Sequence, residues 1–154
     1  VNAPDQVVVS GTNEAMDRAA SHFEALGARC VPLAVSGAWH SELMRPAEPV
    51  LQAALDTVAL AAPSRRLYLN VTGAPAPDAD AVHDALIAQL RSPVRWVAIV
   101  QGLIADGVDR FVEVGPGKVL RGTLRRIWPD ASTYEVFSAG DIPALQRVVD
   151  ALAD

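Results

Sequence analysis

One cysteine, Cys30, stands in 154 residues. An internal disulfide is therefore excluded, and a reducing compartment fits. Cys30 lies in an apolar, strand-like run, where a thiol is ordinarily buried and inert. No stretch approaches the ~18 apolar residues of a membrane span. The start, Val1-Asn2-Ala3-Pro4, has neither the basic region nor the apolar core of a signal peptide. These absences favour a cytoplasmic protein with no membrane partner. The start also lacks an initiator methionine, as a piece of a longer protein would. Lysine is nearly missing: Lys118 is alone among 13 basic residues, and the rest are arginine. A net charge of −5 argues against nucleic acid as the main partner, and the arginines read as a solvated surface. No His, Cys, Asp and Glu residues cluster at metal-ligand spacing, so no metal is expected.

What is present is globular. Hydrophobic residues make up 51% and charged residues 20%, in a chain long enough for one domain with a core. Strands are expected at Gln6–Ser10, Arg29–Val35, Leu67–Val71, Phe111–Val114 and Tyr134–Phe137, the fourth of a buried type. Helical spacing of Ala15, Ala19, Phe23 and Leu26 predicts a helix over Asn13–Leu26, stopped at Gly27. Further helices are expected at Leu43–Leu55, at Ala81–Leu90, from the Ser92-Pro93 cap to about Ala105, at Lys118–Ile127, and from Asp141. Strands alternating with helices give an α/β fold class. A boundary near residues 57–66 divides it into segments 1–58 and 59–154.

One loop stands out chemically. Val35-Ser36-Gly37-Ala38-Trp39-His40-Ser41-Glu42 sets a histidine among small residues, between an apolar run and a helix. Histidine takes and gives protons near neutral pH. A nucleophile elbow, G-x-S-x-G, would supply a serine for it to activate. Ser36 and Ser138 both lack the required preceding glycine. The chain therefore reads as the base half of a nucleophile–base pair. The alternative is a satisfied interior histidine. His22 and His83 read as solvated helix-surface residues. Gly115-Pro116-Gly117-Lys118 suggests a phosphate loop but fails, with Val112 and Val119 where glycine and Ser or Thr are needed. A tight strand-to-helix turn is left, with free N–H groups available to a cleft.

Five segments in order carry a resemblance: Asn2-Ala3-Pro4-Asp5-Gln6-Val7-Val8-Val9-Ser10-Gly11, Ser36-Gly37-Ala38-Trp39-His40-Ser41-Glu42-Leu43-Met44, Asn70-Val71-Thr72-Gly73, Gln89-Leu90-Arg91-Ser92-Pro93-Val94-Arg95-Trp96, and Phe111-Val112-Glu113-Val114-Gly115-Pro116-Gly117-Lys118-Val119-Leu120. Their order resembles the malonyl-CoA:acyl-carrier-protein transacylases and the acyltransferase domains of polyketide synthases. The match covers the C-terminal half of that family's catalytic unit. It implies part of an α/β-hydrolase-like large subdomain plus part of an inserted ferredoxin-like small subdomain. It also implies a missing N-terminal half of the same domain, which would bear the serine. Gln6–Ser10 would then lack its sheet neighbour, and stability would depend on that half.

The resemblance implies roles as well. His40 matches the catalytic histidine of malonyl transfer from coenzyme A to an acyl carrier protein through an acyl-serine. Gln89 matches the residue whose main-chain carbonyl orients it. Trp39 stands where the family's phenylalanine or serine bears on the extender group, and its bulk favours malonyl. Asn2 matches a cleft-lining asparagine. No cofactor is implied beyond the phosphopantetheine carried by the partner, and fatty-acid or polyketide biosynthesis is the setting. Arg45, Arg91 and Arg95 are candidate contacts for an acidic carrier protein. The rival readings are an acyl hydrolase of the same fold and a non-catalytic half or docking module.

Overall fold

The structure, a computed structural model, describes residues 1–153. Contacts divide the chain into two units, one of Val8–Arg95 and one of Val1–Val7 with Trp96–Asp154.

In the Val8–Arg95 unit, helix α1 (Asn13–Ala25) begins at Thr12, whose hydroxyl accepts from the Ala15 N–H at 3.2 Å. It ends at Ala25 with Leu26 as its C-cap, and Gly27, the expected stop, follows at φ 84°. The helix expected over Leu43–Leu55 is divided. Glu42–Ala47 is a 3-10 helix containing Pro46, and α2 (Glu48–Leu55) starts afresh with Pro49 in its first turn. Proline has no N–H to give a helix interior, so its place is the first turn. Helix α3 (Ala79–Ala88) is capped by Asp78, whose carboxylate accepts from Ala81 N–H at 2.8 Å.

Three of the expected strands do not form. Residues 7–10, 28–35 and 67–71 carry no ladder. Gln6 and Tyr68 enter only isolated bridges, with Ala3 and Pro75. β-branched composition makes a backbone extended, but a strand also needs a neighbour to exchange hydrogen bonds with. Val7, Val8, Val9, Val31, Leu33 and Val35 are all exposed, an apolar surface that folded chains ordinarily cover.

In the other unit, α4 (Trp96–Ala105) leads into a β-α-β run of β1 (Arg110–Val114), α5 (Val119–Ile127) and β2 (Glu135–Ala139), then α6 (Ile142–Ala153). Ser92 does not cap α4. The helix opens at Trp96, and the Arg95 N–H just before it donates to the Asn70 carbonyl at 2.9 Å. β1 and β2 pair in parallel, from Arg110 opposite Glu135 to Val114 opposite Ala139. Val100, Leu124 and Tyr134 form the core, walled by Trp96, Phe111 and Trp128. Phe111 meets both Trp128 and Tyr134 edge-on, at 6.3 and 6.1 Å between ring centroids. The polar tips are satisfied: Trp96 Nε1 donates to Thr123 Oγ1 at 2.8 Å, and Tyr134 OH to the Trp128 carbonyl at 3.0 Å. β1 is not the buried strand expected. Its residues alternate, and Val114 is 76% exposed.

Among the described residues, no helix is long and apolar enough to cross a membrane.

Candidate active site

His40 closes a loop built from small residues. Ser41 ends it: its hydroxyl donates to the Ala38 carbonyl at 2.7 Å and accepts from the Leu43 N–H at 3.3 Å, opening the 3-10 helix. Trp39 folds back over Gly37, where an added Cβ would stand 3.2 Å from Trp39 Cε2. The indole is 47% exposed. His40 has φ 62°, the left-handed region that a non-glycine residue avoids, and it is the one such residue among those described. Such strain persists where surrounding contacts over-determine it.

Those contacts come from the C-terminal end of α3. The last carbonyls of a helix have no partner within it. Here the Leu90 carbonyl accepts from the His40 N–H at 3.0 Å, and the Gln89 carbonyl lies 2.8 Å from His40 Nδ1. A carbonyl only accepts, so the proton sits on Nδ1 and the lone pair on Nε2. The Gln89 side chain is held separately, its Oε1 accepting from Asn70 Nδ2 at 3.3 Å. The Asn70–Gly73 loop is in turn tied by Arg95, whose Nε donates to the Val71 carbonyl at 2.8 Å. The structure thus brings His40, Gln89 and Asn70 together, with Trp39 beside the histidine in sequence. Asn2 belongs to the other unit, where its backbone N–H donates to the Gln6 carbonyl at 3.0 Å.

The arginines are less free than the sequence suggests. Arg45 pairs with Glu42. Arg91 Nε donates to Glu48 at 2.5 Å and its Nη1 to Glu42 at 3.1 Å. Hydrogen bonds from Arg45 and then Arg91 hold the Glu42 carboxyl below its ordinary range. Glu48 and then Glu42 hold the Arg91 guanidinium above its own.

Other expectations change. The Gly115-Pro116-Gly117 turn forms, with Gly115 and Gly117 at φ 126° and 93°. The Gly115 N–H of the turn donates to the Ala139 carbonyl at 3.1 Å. Glu113 Oε1 and Oε2 accept from the Leu120 and Arg121 N–H groups at 2.9 and 3.0 Å, so the chain's own carboxylate fills the anion position at the start of α5. His83 is partly exposed on its helix, but it has partners there: Nε2 lies 3.1 Å from Asp56 and Nδ1 3.4 Å from Asp84. Cys30 is half-buried, its thiol 3.7 Å from the Ala20 carbonyl. Among the described residues no His, Cys, Asp and Glu group could hold a metal.

Residues 1–152 match the family model described as the acyl transferase domain. The chain belongs to the acyl transferase family. It is 43% identical over 127 residues to a malonyl CoA-acyl carrier protein transacylase of Salmonella typhimurium, covering 82% of this chain and 41% of the relative. A malonyl-transacylase solved in complex with its type II polyketide acyl-carrier protein superposes with TM-score 0.89 at 36% identity, over 97% of this chain and 48% of that one. The acyltransferase domain from the second module of the salinomycin polyketide synthase gives 0.84 at 30% identity, over 99% and 36%. These acyl transferases share its mixed α/β architecture. The chain spans less than half the length of each.

Proposed function

We propose that this acyl transferase chain serves malonyl transfer from coenzyme A to an acyl carrier protein, supplying the histidine base to a serine carried outside it. The observation that supports the reading is the 2.8 Å contact between His40 Nδ1 and the Gln89 carbonyl. It turns Nε2 into the proton acceptor. The serine hydroxyl gives its proton to Nε2 as its oxygen attacks the malonyl thioester. The coenzyme A sulfur leaves and takes that proton back. The phosphopantetheine thiol of the carrier protein then gives its proton to Nε2 and attacks the acyl-serine, and the serine oxygen leaves and takes that proton from Nε2. A neutral carbonyl orients the imidazole without adding a charge. It also stands at the C-terminal end of α3, where the helix dipole favours the transient imidazolium by ~0.3–1 kcal/mol.

On the same reading, Trp39 walls the extender group, Asn2 lines the cleft, and the fold comprises parts of an α/β-hydrolase-like and a ferredoxin-like subdomain. The test supplies a serine-bearing portion and follows malonyl-CoA with holo-carrier protein by mass spectrometry. Malonyl-carrier protein is the expected product, reduced about 10²–10⁴-fold by His40→Ala. Free malonate with an unmodified carrier protein would make the protein a hydrolase. No turnover with either variant would leave the docking module.

A further inference from the structure

Three consecutive residues after α3 fasten the histidine loop. Gln89 offers its carbonyl to the His40 ring, Leu90 its carbonyl to the His40 N–H, and Arg91 its side chain to Glu42 and Glu48. Glu42 lies two residues beyond His40, and Glu48 opens α2. Arg91 thus spans 43 and 49 residues of chain to grip both ends of the 3-10 helix that follows the histidine. The Glu48 side chain is only 19% exposed, and Arg91 is the partner its carboxylate meets at 2.5 Å. The fork matters here. Nε and Nη1 engage different carboxylates at once, which a lysine ammonium on a flexible stem does not reproduce. His40 sits at a positive φ, so its loop depends on such outside contacts.

We propose that Arg91 is a positioning residue for His40: by clamping Glu48 and Glu42 it presses the Gln89 carbonyl against Nδ1 and so fixes the tautomer that leaves Nε2 free. This rests on His40 acting as the base through Nε2. Arg45 also pairs with Glu42 but does not belong to the segment carrying Gln89, so it has no such role.

The experiment is imidazole nitrogen and carbon NMR on this chain assembled with the serine-bearing portion, only this chain being isotope-labelled, with His22 and His83 as internal references. Wild-type His40 is expected mainly as the Nδ1–H tautomer. In Arg91→Lys and Glu48→Gln, the ratio of Nδ1–H to Nε2–H should fall about two- to tenfold, the weight of one net hydrogen bond. Arg45→Ala should leave the ratio unchanged. If both clamp variants unfold at a lower temperature yet keep the wild-type ratio, Arg91 is an ordinary structural ion pair and the proposal is wrong. A ratio that moves equally in Arg45→Ala also overturns it, because any loss of charge would then suffice. If wild-type His40 itself is mainly Nε2–H, the fault lies earlier, in the reading of His40 as base.

Discussion

Replacing His40 by alanine and by glycine separates its side chain from its backbone. Both variants lose the imidazole and its bond to the Gln89 carbonyl. Their difference therefore isolates the cost of a Cβ at φ 62°. At ordinary positions glycine is the less stable by roughly 0.5–1 kcal/mol, through the freedom it gains in the unfolded chain. In the left-handed region a non-glycine residue costs about 1–2 kcal/mol. The second effect equals or outweighs the first, leaving His40→Gly more stable than His40→Ala by up to about 1.5 kcal/mol. For a chain of this size that is a rise of up to about 6 °C in Tm, measured by thermal unfolding followed by circular dichroism. Both variants should lack base activity. If His40→Gly melts below His40→Ala, the histidine carries no backbone strain and the loop geometry described here is wrong.

Three further outcomes follow from the same geometry. Gln89→Ala keeps the main-chain acceptor and loses only the bond from Asn70, so transfer should fall by no more than about threefold; a loss as large as that of His40→Ala would place the role in the side chain. Trp39→Ser opens the wall beside His40 and should shift competition between malonyl- and methylmalonyl-CoA toward the branched group by at least about tenfold, whereas an unchanged ratio would mean that the indole merely packs over Gly37. Acid should release residues 1–7 from α5. Arg126 holds the Asp5 carboxyl below its ordinary range through a 2.6 Å pair. A lowered value gives stability that is complete above the ordinary carboxylate pKa and lost as pH falls through the lowered one. Hydrogen-exchange protection of residues 1–7, relative to the intrinsic rate at each pH, should therefore fall as pH drops below the ordinary carboxylate range, and Asp5→Asn should remove that pH dependence.

The helices were legible because their signals are local. Thr12 and Gly27 bound α1, Asp78 caps α3, and the Gly-Pro-Gly turn delivers α5. β1 and β2 were legible because their partners lie within the chain. Gln6–Ser10 and Arg29–Val35 carry the same strand-like composition, but pairing is a property of two segments, and neither finds one here. The histidine loop announced itself through its residue types. Its fastening did not, since Arg91, Glu42 and Glu48 are ordinary surface charges until the chain folds them together. Glu113 was hidden for the same reason, filling an anion position that the turn alone seemed to leave open.

The most direct test of His40 as the base is the intact mass of the protein after a brief incubation with malonyl-CoA, with the serine-bearing portion present. The account predicts a malonyl adduct on that portion when this chain is wild type and none within the same time when it carries His40→Ala. An adduct that forms equally fast without the imidazole would contradict it, and the proton acceptor would have to be sought elsewhere.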